Sequence, residues 1–323
     1  MRTTGILVAL SGTSCLAVAV PVAVDASKLT VFLQPGEQKQ LSSASVSVAA
    51  SILQRHGVVL LKNVLQAEVV DEAASVVTRS FGRCQSALKE RGLRLKDPFA
   101  FAEIAHRSKL RFDMQLADAT PALPAALVHT PPWKPLLCKT LGDDCIDLFQ
   151  GAVIAEPGAA DQQQHMDGGH LFQSTHAYDQ AQNPCHCLNV FVPLIDVTEE
   201  LGPTEFWPGS HVLSEAGAAF AGAAPSVSLA GQRGDAIVFD YRVVHRGRAN
   251  GGEVSRPVLY LTSSRSWFRD AQNFPEERLL AGSAGARAGS AVGVSTGGFG
   301  GARASPGGSK SKGKGSAGGK RRK

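Results

Sequence analysis

His165-Met166-Asp167 sets an imidazole and a carboxylate two residues apart, the spacing that turns both side chains to one face of an extended strand. Together they make two ligands of a two-histidine, one-carboxylate metal face, which leaves three positions open on iron for a bidentate cosubstrate and dioxygen. The third ligand must come from another strand. His245 is the candidate, because it follows Gly234-Asp235-Ala-Ile-Val-Phe-Asp240, a turn and then an apolar strand. His170, His176, His186 and His211 compete for the same role. His170 stands at an odd spacing from His165 and would face away on a straight strand. His211 follows the turn Pro208-Gly209-Ser210 and reads as a structural, hydrogen-bonding histidine. Cys185-His186-Cys187 raises a second metal question, but the trio reads as part of a half-buried strand. No Cys-x-x-Cys pair is present, which disfavours a zinc ribbon.

Arg256 supplies the next piece. It stands beyond the loop Gly247-Arg-Ala-Asn-Gly-Gly252, at the start of Pro257-Val-Leu-Tyr-Leu261. A hairpin returning from the His245 strand would bring its guanidinium beside the metal pocket, where it could hold the carboxylate of an oxo-acid in bidentate fashion. Arg242, Arg246 and Arg248 read as surface residues.

Positioning these groups requires a scaffold. Ser45 to His56 has helical apolar spacing and stops at Gly57. Residues 57–62 (GVVLLK) form a short strand, and Gln66 to Phe81 returns to helical spacing through Val69, Val70, Ala73, Val76 and Val77. Phe99, Phe101, Ile104, Leu110 and Phe112 predict a core-facing stretch of irregular path over 95–117. Thr130 to Gln150 predicts a further helix after Pro131 and Pro132. From about Ala152 short apolar runs recur between Gly, Pro, Asn and Asp: Ala152–Ala155, His165–Phe172, Leu188–Leu194, Thr204–Trp207, Ala236–Asp240 and Val258–Ser263. Such punctuation predicts an antiparallel sandwich or jelly roll, so helices come first and a β core follows.

The composition agrees with a globular chain: 323 residues, 43% hydrophobic, enough for one large domain or two small ones. The net charge of +5 misleads. Residues 281–323 hold nine of the 33 Lys and Arg and no acid, which leaves 24 basic against 28 acidic residues, a net −4, in the rest. A basic-groove nucleic-acid enzyme is thereby disfavoured. The tail also holds 14 of the 34 glycines, so it is expected to be disordered, and its Lys-Arg-Arg-Lys end could contact anionic surfaces. Residues 3–24 are uncharged. They make a poor membrane span, with no transmembrane anchor expected, and read as a signal or transit segment or as a strand-rich extension. The expected organisation is an N-terminal extension over 1–44, a catalytic domain over 45–280 and the tail over 281–323, in an intracellular protein.

At this point the sequence resembles the phytanoyl-CoA dioxygenase family of iron(II)- and 2-oxoglutarate-dependent oxygenases. The resemblance spans about Ile52 to Arg265. It runs through the 57–65 strand block, Glu156-Pro-Gly-Ala-Ala-Asp-Gln-Gln-Gln-His165-Met-Asp167, residues 192–203 (VPLIDVTEELGP), Trp207-Pro-Gly-Ser-His211, and Gly234 through His245-Arg-Gly. It implies a mostly β double-stranded β-helix (a cupin-like jelly roll) with flanking helices. It further implies iron(II) on His165, Asp167 and His245, 2-oxoglutarate salt-bridged to Arg256, and O2 as co-reactant. Asp167 implies oxygenation, since related halogenases carry a small residue at that place. Met166 departs from the glutamine of some members. The family acts on diverse compounds, so what is implied is hydroxylation of a small-molecule substrate with release of succinate and CO2. A non-catalytic binding protein of the same fold and a protein-modifying oxygenase guided by the tail are the alternatives. Gln173–Pro184 matches no family block and reads as a lid or pocket loop.

Overall fold

The computed structural model describes residues 23–171, 184–212, 222, 224–270 and 274–280. Residues 1–22, His176 and all of the expected lid loop except Pro184, and the tail from Ala281 lie outside them. The chain enters through a 3-10 turn, Ala26–Leu29, and strand β1, Thr30–Phe32. Helix α1, Ser43–His56, starts on the Ser42 hydroxyl, which accepts from the Ser45 amide at 3.2 Å. It ends at Gly57, which is left-handed (φ 76°) and so close to His211 that a Cβ would lie 2.7 Å from its Nδ1. Strand β2, Val58–Lys62, and helix α2, Ala67–Glu90, follow; α2 runs on past the predicted stop at Phe81.

Two expectations for the middle of the chain need correction. Residues 95–117 are not merely irregular: β3, Ile104–Ser108, and β4, Arg111–Gln115, form an antiparallel hairpin that turns at Leu110, φ 57°. Phe112 and Met114 alternate there with Arg111 and Asp113, and all four are buried. The helix expected over Thr130–Gln150 is much shorter. After one turn of α3, Ala125–Val128, helix α4 covers Lys134–Leu141 and closes with the Gly142 amide on the Cys138 carbonyl at 2.9 Å. The remainder opens β5, Ile146–Ala155. Then come β6, Cys187–Pro193, β7, Thr204–Phe206, β8, Val227–Leu229, β9, Ala236–Asp240, β10, His245–Gly247, and β11, Arg256–Ser264. The His165–Phe172 run, expected as a strand, contributes only His165 among the described residues, through an isolated bridge to His245.

Eight strands form one sheet in the order β1-β2-β9-β6-β11-β5-β4-β3, antiparallel apart from the parallel β1–β2 pair, and β10-β7-β8 form a second. Alternation assigns the two faces of the large sheet. Val59, Leu61, Val190, Val238 and Leu259 pack with α1, α2 and α4 residues such as Ala49, Leu53, Val76 and Leu137. Val58, Leu60, Ile237 and Phe239 pack instead against Phe206 and Leu229 of the small sheet. Each such fully buried aliphatic or aromatic side chain contributes roughly 1.5–3 kcal/mol of transfer free energy. The result is the expected mostly β jelly roll with its helices on one outer face. The segment ahead of α1 is tied to it, since β1 pairs with β2 and Leu29 and Leu41 are buried. Among the described residues no helix is long and apolar enough to cross a membrane.

Candidate metal centre

His245 opens β10 and is held there from both sides. The Trp207 amide donates to the Val244 carbonyl at 2.9 Å, and the Val244 amide donates to the Ser210 hydroxyl at 2.8 Å. The Trp207-Pro-Gly-Ser-His211 turn therefore sets the backbone one residue before the imidazole. Phe206, Phe239 and Phe191 surround the ring, with centroids 5.7, 4.9 and 6.4 Å away. His165 lies opposite, its amide and carbonyl exchanging hydrogen bonds with those of His245 at 3.0 and 2.9 Å. The two ring centroids are 4.4 Å apart. Asp167 follows in a bend, not in a regular strand.

The donor atoms converge. Asp167 Oδ1 is 3.8 Å from His165 Nε2 and 3.5 Å from His245 Nε2. Among the described residues these three are the only group of three or more metal-ligating side chains whose donor atoms lie within 4.8 Å of one another. Each histidine Nδ1 faces a backbone carbonyl, Gln163 O at 2.8 Å and Val243 O at 3.1 Å. A carbonyl can only accept, so Nδ1 carries the proton and Nε2 keeps its lone pair toward the centre. Burial, then the neighbouring imidazole of His245, push His165 down to about 4, so it is a neutral ligand at pH 7. Two imidazole nitrogens and one carboxylate oxygen suit a divalent first-row metal, iron included.

The same cavity, about 930 Å³ of space open to solvent, is lined by Arg256 and by an arginine that the sequence reading missed, Arg111. Both stand opposite Ala155, Arg256 from β11 and Arg111 from β4, with β5 between them. Asn250 pins the approach to Arg256 by donating to the Ala155 and Val254 carbonyls at 2.8 and 2.9 Å. Their side chains are buried, 2% and 0% exposed, yet Nε and Nη1 of both find no partner among the described residues. Arg111 Nη2 alone is satisfied, by the Ala160 and Arg248 carbonyls at 3.0 and 2.9 Å. Burial, then Arg111, push Arg256 down to about 9, which still leaves it charged at pH 7. Asp161 acts on Arg111 from a distance, but neither guanidinium hydrogen-bonds a carboxylate among the described residues; two such buried cations make a receptor for an anion, because desolvated charge is tolerated only when paired.

The hairpin expected between His245 and Arg256 does not form. β10 pairs with β7 in the small sheet, while β11 lies between β5 and β6 in the large one. The two side chains line the same cavity from different sheets instead. Arg242 is also corrected: it is not a surface residue but 4% exposed, gripping Asp240 through Nε at 2.8 Å and Nη2 at 2.7 Å. Arg246 is half-buried against Glu205 at 2.6 Å, and Arg248 lies partly exposed beside Asp161 at 3.3 Å. His211 is structural as expected, with Nε2 on the Gln54 carbonyl at 3.0 Å. His186 and Cys187 are buried, and the His186 ring packs 4.7 Å from Phe268. His170 is buried away from the three donors; burial, then Arg242, push it down to about 4.

The rest of the wall is aromatic and acid-rich. Gly151 on β5 leaves room for Tyr260, whose ring and hydroxyl would lie 2.2 Å from any Cβ there. The Tyr260 hydroxyl thereby reaches Asp113 at 3.0 Å, and Arg107 donates to the same carboxylate at 3.0–3.1 Å. Burial raises Asp113 in spite of Arg107. Phe149 meets Tyr260 edge-on at 6.2 Å, and Tyr241 donates to Asp270 at 2.7 Å.

Comparison with known proteins identifies the family and the fold. The family model described as phytanoyl-CoA dioxygenase (PhyH) matches residues 53–258. AviO1 from Streptomyces viridochromogenes Tue57 superposes with a TM-score of 0.53 at 20% identity, over 72% of this chain and 100% of that one. The epimerase SnoN, crystallised with Fe3+, alpha ketoglutarate and nogalamycin RO, gives 0.52 at 18% identity, over 75% and 98%. At these identities the likeness is one of fold.

Proposed function

The chain belongs to the phytanoyl-CoA dioxygenase family and is a 2-oxoglutarate-dependent oxygenase; from that premise we propose that His165, Asp167 and His245 hold its iron, and Arg256 with Arg111 its cosubstrate. The reaction we propose is hydroxylation of a small molecule. Iron(II), when bound with 2-oxoglutarate and dioxygen, supplies the oxidising power, one oxygen atom ending in succinate beside CO2 and the other in the hydroxylated product.

The protein's own residues bind, orient and shield. The two Nδ1–carbonyl hydrogen bonds fix both imidazoles with Nε2 inward. Arg256 and Arg111 neutralise the far carboxylate of the diacid and set its long axis toward the three donors. Phe191, Phe206 and Phe239 keep water from the back of His245. The cavity is open to solvent, so a small molecule can reach the three donors from outside. Phe149 and Tyr260 offer apolar contact to the substrate, and Asp270 with Tyr241 a polar one. The catalytic unit we propose is 45–280, with residues 23–44 packed on it and the basic tail dispensable for chemistry.

One observation carries this reading: a face of one acid and two imidazoles shares its cavity with two buried guanidinium groups that hydrogen-bond no carboxylate among the described residues. The test is succinate release from 2-oxoglutarate by the iron(II)-loaded full chain, followed by a metabolite screen for compounds that increase it. His165→Ala and Asp167→Ala should abolish release while leaving the circular dichroism spectrum unchanged. Undiminished release by either variant would refute the ligand assignment.

A further inference from the structure

We infer that Asn189 and Thr262 are positioning residues of the metal centre, a hydrogen-bonded chain that makes Asp167 a one-oxygen ligand. This rests on the reading of His165, Asp167 and His245 as the metal face. Asp167 needs such help because it lies in a bend, so no strand ladder fixes its side chain. Asn189 of β6 and Thr262 of β11 stand directly opposite each other in two central strands, both buried and both turned to the interior. The Asn189 Nδ2 group donates to Asp167 Oδ2 at 2.6 Å. Behind it, the Thr262 hydroxyl donates to Asn189 Oδ1.

The order of donors is forced by chemistry. An ionised carboxylate only accepts, so Asn189 must present its NH2 side to Asp167. Its carbonyl oxygen then points back into the sheet and needs a donor. Thr262 is that donor, so its hydroxyl holds the amide in the one orientation that serves the carboxylate. Without it the amide could turn and set oxygen against oxygen. With Oδ2 engaged, Oδ1 alone faces the two Nε2 atoms at 3.5 and 3.8 Å. A carboxylate free to rotate could chelate an ion through both oxygens and take up a position that the cosubstrate needs. The Asn189–Thr262 pair prevents this through a charge-assisted hydrogen bond that fixes the carboxylate's orientation.

The test is Mn(II) binding to the metal-free full chain, followed by electron paramagnetic resonance without cosubstrate, with thermal melts of each metal-free variant. Asn189→Ala and Thr262→Val should each weaken Mn(II) affinity by roughly 10- to 100-fold, the usual cost of losing such an outer partner. Thr262→Val keeps the shape of the side chain, so it decides the matter should Asn189→Ala fold poorly. Thr262→Ser restores the hydroxyl without the methyl and should bind within about threefold of the wild type. Wild-type affinity in Thr262→Val, or equal weakening in Thr262→Ser and Thr262→Val, would overturn the positioning role. Asp167→Ala separates the two levels. Wild-type Mn(II) binding by that variant would bring down the metal face itself, whereas its loss beside an unaffected Thr262→Val would bring down this inference alone.

Discussion

Replacing Arg256 by Met should have two opposite effects, and both follow from one feature of the structure. The guanidinium is 2% exposed, and its Nε and Nη1 meet no acceptor among the described residues. In the cosubstrate-free protein it is a desolvated cation beside a second one, Arg111, and burial with that neighbour pushes it down to about 9. Replacing buried charge with an apolar side chain of similar volume is often neutral or stabilising by about 1–4 kcal/mol. Arg256→Met should therefore raise the urea-unfolding free energy of the cosubstrate-free protein by about 1–2 kcal/mol. The same change removes charged hydrogen bonds to the bound diacid, each contributing about 1.5–3 kcal/mol. Because Arg111 remains, the net loss should be about 2–3 kcal/mol, or roughly 30- to 150-fold in 2-oxoglutarate affinity. Calorimetric titration with 2-oxoglutarate and urea unfolding measure the two effects. Unchanged affinity would mean that another residue holds the diacid. A loss of more than about 2 kcal/mol of stability would mean that Arg256 has a structural partner, and the reasoning from an unpaired cation would be wrong.

Three further outcomes are expected. Gly151→Ala would drive a methyl group to 2.2 Å from Tyr260 and 2.4 Å from the Met114 carbonyl, so it should destabilise the fold by about 2–4 kcal/mol in urea unfolding through overpacking and loss of the Tyr260–Asp113 bond; a change below about 0.5 kcal/mol would contradict the packing described. His170 and His186 are both pushed down to about 4, chiefly by burial and then by Arg242. The unfolded chain takes up protons on them from about pH 6.5 while the folded chain does not, so their contribution is present above that pH and is lost as pH falls toward 4. Unfolding free energy should therefore decline between pH 6.5 and pH 5, and a flat profile would argue that these rings titrate freely. Deleting 281–323 should leave succinate release unchanged, whereas a large fall in turnover on a small molecule would give the tail a part in the reaction.

The legibility of this protein follows the range of the interactions. Wherever a few neighbouring residues carry the signal, the sequence alone sufficed. The helix read from Ser45 ends at Gly57 as expected, though it starts earlier, on Ser42; the apolar 58–62 run is a strand, and the turn before His211 leaves that ring to the Gln54 carbonyl. The His165–Asp167 pair and His245 were legible for the same reason, as rare residue types set on recognisable punctuation. Their convergence was not derivable locally. It depends on a bridge between segments far apart in the chain, and the carboxylate itself lies in a bend, not on a strand.

Arg111 escaped because β4 alternates polar with apolar residues, Arg-Phe-Asp-Met-Gln, as a half-exposed strand would. Its polar face is in fact turned into the cavity, where Arg111 and Asp113 are buried. Arg242 misled for a related reason, since only the folded turn sets it on Asp240. Short-range spacing determined a β core of sandwich or jelly-roll kind, its helical cover and the candidate ligand types, and the family resemblance narrowed the core to a jelly roll. The tertiary structure decided which distant strands adjoin, and through that which buried charges remain unpaired and which hydrogen bonds aim Asp167. Burial and strand order are properties of the whole chain, so no local window of sequence contains them.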